Sequence, residues 1–267
     1  MVMGILNLTP DSYYDGGKIA DANAAVDVAG RMIQDGASII DVGGQSTRPG
    51  ADLISAKEEW ARIENPLALL HEKFPETIFS VDTFYAEVAE KAVAAGAGII
   101  NDISGGSMDN KMLETVARLK VPYILTHMKG TPQTMQQNPQ YDNVVKEVMD
   151  FFVERIQKLT ALGVADIIID PGFGFGKSLE HNYELLSSLS VFKILERPIL
   201  AGISRKSMVN KVIGTKPADA LNGTTVLHTV ALQKGATILR VHDVKEAMEI
   251  IKLNEIMSNT EHRIRKK

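Results

Sequence analysis

The chain has 267 residues, of which 45% are hydrophobic, and a formal net charge of −4. This length is enough for a full-sized core and is close to the roughly 250 residues of a closed (β/α)8 barrel. The mild negative charge argues against broad binding to nucleic acid or to an anionic membrane surface. The absence of cysteine excludes disulfides and thiolate metal sites. No apolar run reaches the roughly 18 residues of a membrane span, and no secretion signal precedes the first run, so we expect a cytoplasmic protein.

Short apolar runs alternate with amphipathic segments along the whole chain. The first run ends at Asn7, and a loop of Pro, Asp, Ser and Gly follows, which carries Asp11 and Asp15. The next seven apolar runs cover 38–42, 77–81, 98–100, 123–126, 166–169, 198–203 and 237–239. Helical spacing of apolar residues covers 22–33, 55–70, 86–95, 111–119, 145–159, 180–189, 221–231 and 244–251. Ser55 followed by Glu58 predicts a capping box at the start of the second helix.

Eight strand-then-helix units without a break in composition predict one α/β domain, a single (β/α)8 TIM barrel, over residues 1–258. Short, continuous apolar strands are typical of parallel strands that are buried on both faces. An open doubly wound sheet is the structural alternative. Residues 129–141 are predicted to form a long loop, and residues 259–267 a charged C-terminal tail that is frayed from Glu261 onward.

A polar or charged side chain stands at the end of every predicted strand. Because the strands of a barrel all end at one face, we predict that these groups surround a single active-site mouth. Any one Asp or Asn at such a position can instead cap the following helix. That alternative does not account for the cations, which are disfavoured at helix N-termini. The groups are Asn7, Asp41, Asp82, Asn101, His127, Asp170, Lys206, and Arg240 with His242.

The mixture of acceptors and cations indicates a flat heterocyclic ligand. Asp82, Asn101 and Asp170 offer acceptors and an amide that suit a row of N–H donors, such as a 2-amino-4-oxopyrimidine edge. Lys206 suits a carbonyl or ring nitrogen of the same ligand. Arg240 can stack its guanidinium on a π face and still donate from its rim.

Arg240, His242 and Asn7 together predict an anion site. The amide oxygen of Asn7 can also bind Mg²⁺, because this ion commonly takes one protein oxygen and completes its shell with phosphate and water. The glycine run at 170–177 lacks the spacing of a P-loop. We interpret it as a tight turn that places Phe175 beside the pocket.

Nine segments, in order and over nearly the whole chain, resemble the dihydropteroate synthases. Each one lies at a predicted strand end or in the loop that follows it. The segments are 4–12 (GILNLTPDS), 41–44 (DVGG), 46–50 (STRPG), 80–83 (SVDT), 101–102 (ND), 127–130 (HMKG), 170–177 (DPGFGFGK), 204–207 (SRKS) and 240–242 (RVH).

The resemblance implies a TIM barrel of the folate pathway, usually homodimeric. Enzymes of this family join 6-hydroxymethyl-7,8-dihydropterin diphosphate to p-aminobenzoate, with release of pyrophosphate and with Mg²⁺ as cofactor, and the resemblance implies the same reaction here. Sulfonamides compete for the p-aminobenzoate site in this family. The late helices, with apolar positions such as Leu185, Leu227 and Ile251, are the implied dimer surface.

The resemblance also implies roles for individual residues. The pterin site is Asp82, Asn101, Ile103, Met128, Asp170, Phe175, Lys206 and Arg240, with Asp41 behind it as support. The p-aminobenzoate site is Thr47, Arg48, Pro49, Phe175 and Ser207. The diphosphate site is Asn7, Arg240 and His242, and Asn7 is the metal ligand. The implied catalytic residues are Asp15, Arg48, Lys206, Arg240 and His242.

The chemistry of these substrates favours a loose, dissociative displacement. An aryl amine is a weak nucleophile, whereas diphosphate on the pterin methylene is a good leaving group. Mg²⁺, Arg240 and His242 are expected to neutralise the leaving group. Asp15 is expected to stabilise the cationic methylene once the early loops have closed and excluded water.

Two other functions remain open from the sequence. A methyltetrahydrofolate methyltransferase would share the acidic pterin contacts, but it would need neither the anion site nor the loop at 46–49. A catalytically silent paralogue would bind pterin or only dimerise with an active subunit. The presence of Asp15, Thr47 and Arg48 argues against a silent paralogue.

Overall fold

The computed structural model describes residues 1–9, 22–46 and 51–265, without the side chains of residues 260–265. Within these residues, eight parallel strands alternate with helices. The strands are β1 (Val2–Asn7), β2 (Ile39–Gly43), β3 (Ile78–Asp82), β4 (Ile99–Asp102), β5 (Tyr123–Thr126), β6 (Ile167–Asp170), β7 (Leu200–Ala201) and β8 (Ile238–Val241). The helices are α1 (Ala22–Gln34), α2 (Ala56–Lys73), α3 (Ala86–Ala94), α4 (Met112–Leu119), α5 (Val144–Ala161), α6 (Leu179–Ser187), α7 (Ser207–Ile213), α8 (Leu221–Gln233) and α9 (Val244–Arg265).

The strands close into a barrel. β1 pairs in parallel with both β2 and β8, and the hydrogen-bonded order runs β6-β5-β4-β3-β2-β1-β8-β7. A parallel bridge between Ile169 and Ile199 joins the two ends of this order. The predicted (β/α)8 barrel is therefore confirmed, and the open sheet is excluded.

Strand β7 is much shorter than the predicted run at 198–203. Pro198 has no N–H to donate, although its carbonyl accepts from the Ile169 amide at 2.9 Å. The amide of Ile199 donates to the Thr237 hydroxyl at 3.1 Å rather than to a carbonyl of a neighbouring strand. The Ile199 amide therefore takes no part in the ladder, although the Ile199 carbonyl accepts from the Thr237 and Ile238 amides at 2.8 and 3.2 Å. Only Leu200 and Ala201 pair regularly with β8.

The alternation of side chains along each strand places polar residues of the strand ends on the inner face of the barrel, above an apolar floor. Its floor is a cluster of apolar side chains: Met3, Ile39, Ile99, Ile124, Ile168, Leu200 and Ile238. Successive side chains of a strand point to opposite faces, so a residue two positions later lies on the same face and one layer higher. Ile39, Ile99, Ile168 and Ile238 are thus followed, one layer above the floor, by Asp41, Asn101, Asp170 and Arg240.

Some helices differ from the predictions. Between the seventh and eighth strands the sequence predicted one helix, whereas the described chain also has α7 and a 3₁₀ turn at Pro217–Asp219. Helix α7 is only seven residues long, too short to show a clear helical period, and it ends at Gly214, whose φ is +69°. The predicted Ser55–Glu58 capping box is present.

The late part of the chain also corrects one expectation. Helix α9 continues to Arg265, and fraying of the tail from Glu261 onward stays a prediction. Leu185 is fully buried in the core, so it cannot belong to a dimer surface. Within the described residues, no helix is both long and apolar enough to cross a membrane.

Candidate active site

Arg240 is the centre of a buried network at the mouth of the barrel. Its Nε donates to Asp41 Oδ2 at 2.6 Å, and its terminal nitrogen donates to Asp82 Oδ2 at 2.9 Å. Asp41 Oδ2 also accepts from the Asn101 side-chain amide at 2.9 Å. Asp41 is completely buried, so it acts as the support that the resemblance implied, and it fixes both Arg240 and Asn101.

The network holds more negative charge than its burial favours. Burial raises the pKa of Asp82 to about 7, against the effect of Arg240 and with a further contribution from Asp41. For Arg240 burial works against the charge, but Asp41 and Asp82 outweigh it and raise the pKa. Arg240 therefore offsets the negative charge of Asp82 only in part, and a ligand that donates N–H groups to this carboxylate would stabilise the charge further.

Lys206 and Asp170 form the opposite side of the mouth. The Lys206 ammonium donates to the Phe173 carbonyl at 2.5 Å and lies 4.4 Å from the centre of the Phe175 ring. Burial lowers the pKa of Lys206 to about 8, partly offset by Asp170. Burial likewise raises the pKa of Asp170, and Lys206 counteracts this. Asp170 and Lys206 thus offer a hydrogen-bond acceptor and a donor in the same buried part of the mouth.

An apolar wall lies above these groups. Ile103 and Met128 are buried in one cluster with Phe84 and Met135, and Phe175 packs against it. Met135 comes from the long loop at 129–141, so this loop contributes to the wall. The residues predicted to enclose a flat ring are therefore brought together.

The structure gives the surroundings of Asn7 and His242, which together with Arg240 are the predicted anion site. A Cβ on Gly43 would stand 3.6 Å from the Asp82 Cβ and 3.7 Å from the Asn7 Oδ1, so Asn7 and Asp82 flank this glycine. Directly after β8, His242 Nδ1 is 3.0 Å from the Ser204 hydroxyl, which also accepts the His242 backbone N–H at 3.2 Å. Ser204 was not predicted as a site residue, although it is the first residue of the SRKS segment.

The remaining predicted residues are placed only in part. Ser207 is exposed at the first position of α7, directly after Lys206. Asp15, Thr47, Arg48 and Pro49 lie outside the described residues. Their roles stay predictions from the resemblance.

The donor set suits Mg²⁺ that is held mainly by a substrate. The described residues contain no cluster of three His, Asp or Glu side chains that would hold a metal by itself. They do provide the half-buried Asn7 amide oxygen at the predicted anion site. One oxygen ligand beside a diphosphate fits the way in which Mg²⁺ is commonly bound.

Glu59 is a buried acid that the sequence interpretation missed. It is fully buried in the first turn of α2, where Oε2 accepts from the Thr83 hydroxyl at 3.2 Å and Oε1 has no partner. Burial, together with the charge of Asp82, raises the pKa of Glu59 to about 8. The signal was present in the sequence, because Glu59 is spaced at i, i+4 and i+8 with the core residues Ile63 and Leu67.

We expect Glu59→Gln to stabilise the protein at alkaline pH and to leave its stability nearly unchanged in mild acid. The raised pKa means that the contribution of the protonated acid is fully present below pH 4.5 and is lost as the pH rises through about 8. At about pH 9 the variant should gain a few kcal/mol in the free energy of unfolding, since one pKa unit corresponds to about 1.4 kcal/mol.

Urea unfolding at about pH 5 and about pH 9 measures this difference. Glu64→Gln on the exposed face of the same helix is the matched control and should give no pH-dependent gain. An equal shift at both pH values in Glu59→Gln would contradict the assignment.

Comparison with known proteins gives consistent matches. The model of the family "Pterin binding enzyme" matches residues 3–242. The dihydropteroate synthase of Escherichia coli K12 is 45% identical over 256 residues, which are 95% of this chain and 90% of that protein.

Two solved structures are similar as well. The Yersinia pestis dihydropteroate synthase in complex with a sulfonamide drug has a TM-score of 0.94 at 42% identity, covering 97% of this chain and 94% of the other. The Xanthomonas albilineans dihydropteroate synthase in complex with 7,8-dihydropteroate has a TM-score of 0.86 at 38% identity, covering 96% and 93%.

Proposed function

The chain belongs to the dihydropteroate synthases within the pterin-binding enzymes, and from this premise we propose how its residues carry out the reaction. The reaction is the condensation of 6-hydroxymethyl-7,8-dihydropterin diphosphate with p-aminobenzoate to give 7,8-dihydropteroate and pyrophosphate. One observation carries the residue assignment: two sets of polar side chains face each other across the mouth of the barrel. One is the Asp41–Arg240–Asp82 network, and the other is the pair Asp170 and Lys206.

The pterin lies between these two groups. Asp82 and Asp170 accept its N–H donors, and Lys206 donates to its carbonyl or ring nitrogen. Asn101 is held by Asp41 with its amide oxygen left for the ligand. Ile103, Met128 and Phe175 cover the ring from the apolar side.

The leaving diphosphate lies at the anion site. Arg240 keeps a fixed orientation through its carboxylate partners, so it can donate toward the departing oxygens without prior reorganisation. His242 contributes a second donor, and the contact of its Nδ1 with Ser204 fixes the ring orientation. Asn7 would hold Mg²⁺ together with the diphosphate, and the bound ion would supply charge neutralisation at the leaving group.

The second substrate lies toward Phe175 and Ser207. Thr47, Arg48 and Pro49 of the second loop complete this part of the site in our proposal. Sulfonamides resemble p-aminobenzoate and would compete there. The similar Yersinia pestis structure is a complex with a sulfonamide drug, which supports the assignment of sulfonamides as ligands.

Release of pyrophosphate tests the function. Purified protein, Mg²⁺, pterin diphosphate and p-aminobenzoate should give pyrophosphate and dihydropteroate in equal amounts. Omission of p-aminobenzoate should abolish both products, and a sulfonamide should raise the KM for p-aminobenzoate without changing the maximal rate. Release that does not depend on p-aminobenzoate would contradict the synthase, and methyl transfer from methyltetrahydrofolate to a corrinoid would support the methyltransferase instead.

We also propose a homodimer that forms through α7, α8 and α9. These helices are neighbours, since α8 packs against both others, and they expose large apolar side chains toward solvent. The exposed positions are Val212, Ile213, Val226, Leu253, Ile256 and Met257. Leu227 and Ile251, predicted from the resemblance, are half-buried in the same region.

Leu253→Glu combined with Ile256→Glu is expected to convert the dimer to a monomer. Both side chains are 68% exposed, so charge there costs little in the folded subunit but opposes burial against a second copy. Light scattering coupled to size exclusion measures the mass. Val153→Glu, at an exposed apolar position on α5, is the control and should stay dimeric. A dimeric double variant, or a monomeric wild type, would disprove this surface.

A cytoplasmic location is part of the same proposal. Cell fractionation that follows the intact protein tests it. Recovery in the membrane or secreted fraction would contradict it.

A further inference from the structure

Lys177 carries a buried amine that forms no salt bridge with any carboxylate of the described residues. The residue is 2% exposed, and its Nζ has four polar neighbours within 3.2 Å. Three are the carbonyls of His127 at 3.2 Å, Gly172 at 2.9 Å and Phe175 at 3.0 Å. The fourth is His127 Nδ1 at 2.9 Å. A buried amine costs free energy unless its donors are satisfied, and here backbone carbonyls satisfy them.

These contacts join two strand ends. His127 directly follows β5, whereas Gly172 and Phe175 belong to the loop at 171–177 that follows β6. The amine therefore fastens this loop, named here the glycine loop, onto the end of β5. The turn inside the loop is closed by the Phe175 amide, which donates to the Gly172 carbonyl at 3.0 Å.

The glycine loop lies directly on the neighbouring backbone. A Cβ on Gly172 would be 2.0 Å from the His127 carbonyl oxygen, and one on Gly176 would be 2.2 Å from the Lys129 oxygen. Both glycines have positive φ, +70° and +64°. Such close approach leaves carbonyl oxygens facing one another, and the amine of Lys177 is what lies between them.

Three site residues depend on the position of the glycine loop. Asp170 Oδ1 accepts from the Gly172 amide at 2.8 Å. Phe175 is part of the loop and packs against the apolar wall. Lys206 donates to the Phe173 carbonyl and lies over the Phe175 ring. A displacement of the loop would therefore move an acceptor, an apolar face and a donor of the site together.

We propose that Lys177 is a positioning residue for dihydropteroate synthesis. Its amine holds the glycine loop on the end of β5 and thereby sets Asp170, Phe175 and Lys206 in the geometry that binds both substrates. Lys177 does not touch substrate, since it is buried beneath the loop. His127 takes part through its carbonyl and its ring nitrogen.

A purely structural role would have a different kinetic signature. Lower stability reduces the amount of folded enzyme and therefore the maximal rate, but it leaves both KM values unchanged. Misplacement of site residues raises KM and lowers kcat/KM even for fully folded enzyme. The two roles are therefore separated by KM measurements on samples with a measured folded fraction.

The test uses Lys177→Met in the full chain, which keeps the length of the side chain and removes its donors. We expect kcat/KM to fall by about 10- to 100-fold, because shifts of about 1 Å in site residues have effects of that size. The KM should rise for both the pterin diphosphate and p-aminobenzoate. Phe192→Leu, in the core beside Phe152, is the matched control: it should lower the melting temperature and leave both KM values unchanged.

A second variant decides the matter if Lys177→Met does not fold. Lys177→Gln keeps two N–H donors and should fold with a smaller rise in both KM values. A double-mutant cycle with Phe175→Leu adds an independent measurement, since losses that pass through Phe175 should be less than additive. Unchanged KM values in the folded variants, or fully additive losses in the cycle, would overturn the proposal.

Discussion

Arg240→Met is expected to lower kcat/KM by about 10³-fold or more, the largest effect of any single change at the barrel mouth. Arg240 holds two carboxylates and, in our proposal, also donates to the leaving diphosphate. Its loss removes a donor from the departing charge and frees Asp82 from the cation that opposes the rise in its pKa. Asp82 would then be protonated at neutral pH and would no longer accept the N–H groups of the pterin.

The same change is expected to lower stability by about 3–5 kcal/mol, the usual cost of removing one partner from a buried ion pair. Asp41 is fully buried and would lose the Nε donor at 2.6 Å. Combining Arg240→Met with Asp41→Asn removes this unpaired charge, so the double variant should regain part of the stability. It should not regain activity, which separates folding from catalysis.

Arg240→Lys is the second comparison. Lysine keeps the charge, but it cannot direct one nitrogen to Asp41 and another to Asp82 with the planar fork of arginine. We therefore expect most of the activity to be lost. Steady-state kinetics on the three variants, with urea unfolding in parallel, gives both quantities. Activity of Arg240→Lys within about tenfold of wild type would show that charge alone is sufficient.

The barrel could be predicted because each strand and helix carries its own local pattern. The apolar run at 38–42 and the helical spacing from Ser55 onward need no knowledge of the rest of the chain. The strand ends could be predicted as one site because barrel geometry forces them together. Helix α7 was missed because it is too short to show a period, and another failure lies where a tertiary contact overrides the local pattern. Strand β7 is short because Ile199 donates to Thr237, and this contact spans 38 residues.

The pairing of the site residues could not be predicted from the sequence. Arg240 and Asp41 are 199 residues apart and meet only because β8 and β2 both flank β1. The sequence gives the residue types, but the register decides that Asp41 receives both Arg240 and Asn101. In the sequence, Lys177 is only the last residue of the glycine run at 170–177. The positioning role that we propose for Lys177 depends on the close approach of Gly172 to His127, which no local pattern indicates.

Asp15→Ala is expected to lower kcat by about 10²- to 10³-fold and to leave binding of the pterin diphosphate nearly unchanged. The other carboxylates at the mouth already have hydrogen-bonding partners. Asp41 and Asp82 are both paired with Arg240, and Asp170 accepts from the Gly172 amide beside Lys206. Each of these three already accepts from a protein donor, although Asp41 and Asp82 share the single cation of Arg240. We therefore assign the negative charge that would stabilise a transient cation at the pterin methylene to another carboxylate, Asp15, which the resemblance implies and which follows Asn7 in the sequence.

Two further variants separate charge from shape at this position. Asp15→Asn keeps the size and loses the charge, so it should be nearly as slow as Asp15→Ala. Asp15→Glu keeps the charge and should retain more of the rate. Calorimetry with the pterin diphosphate and Mg²⁺ gives binding, and single-turnover pyrophosphate release gives the chemical step. A dissociative displacement requires that the variants bind but react slowly. If they instead lose affinity in proportion to rate, Asp15 contributes to ground-state binding, and the stabilisation of the cation must be reassigned to another group.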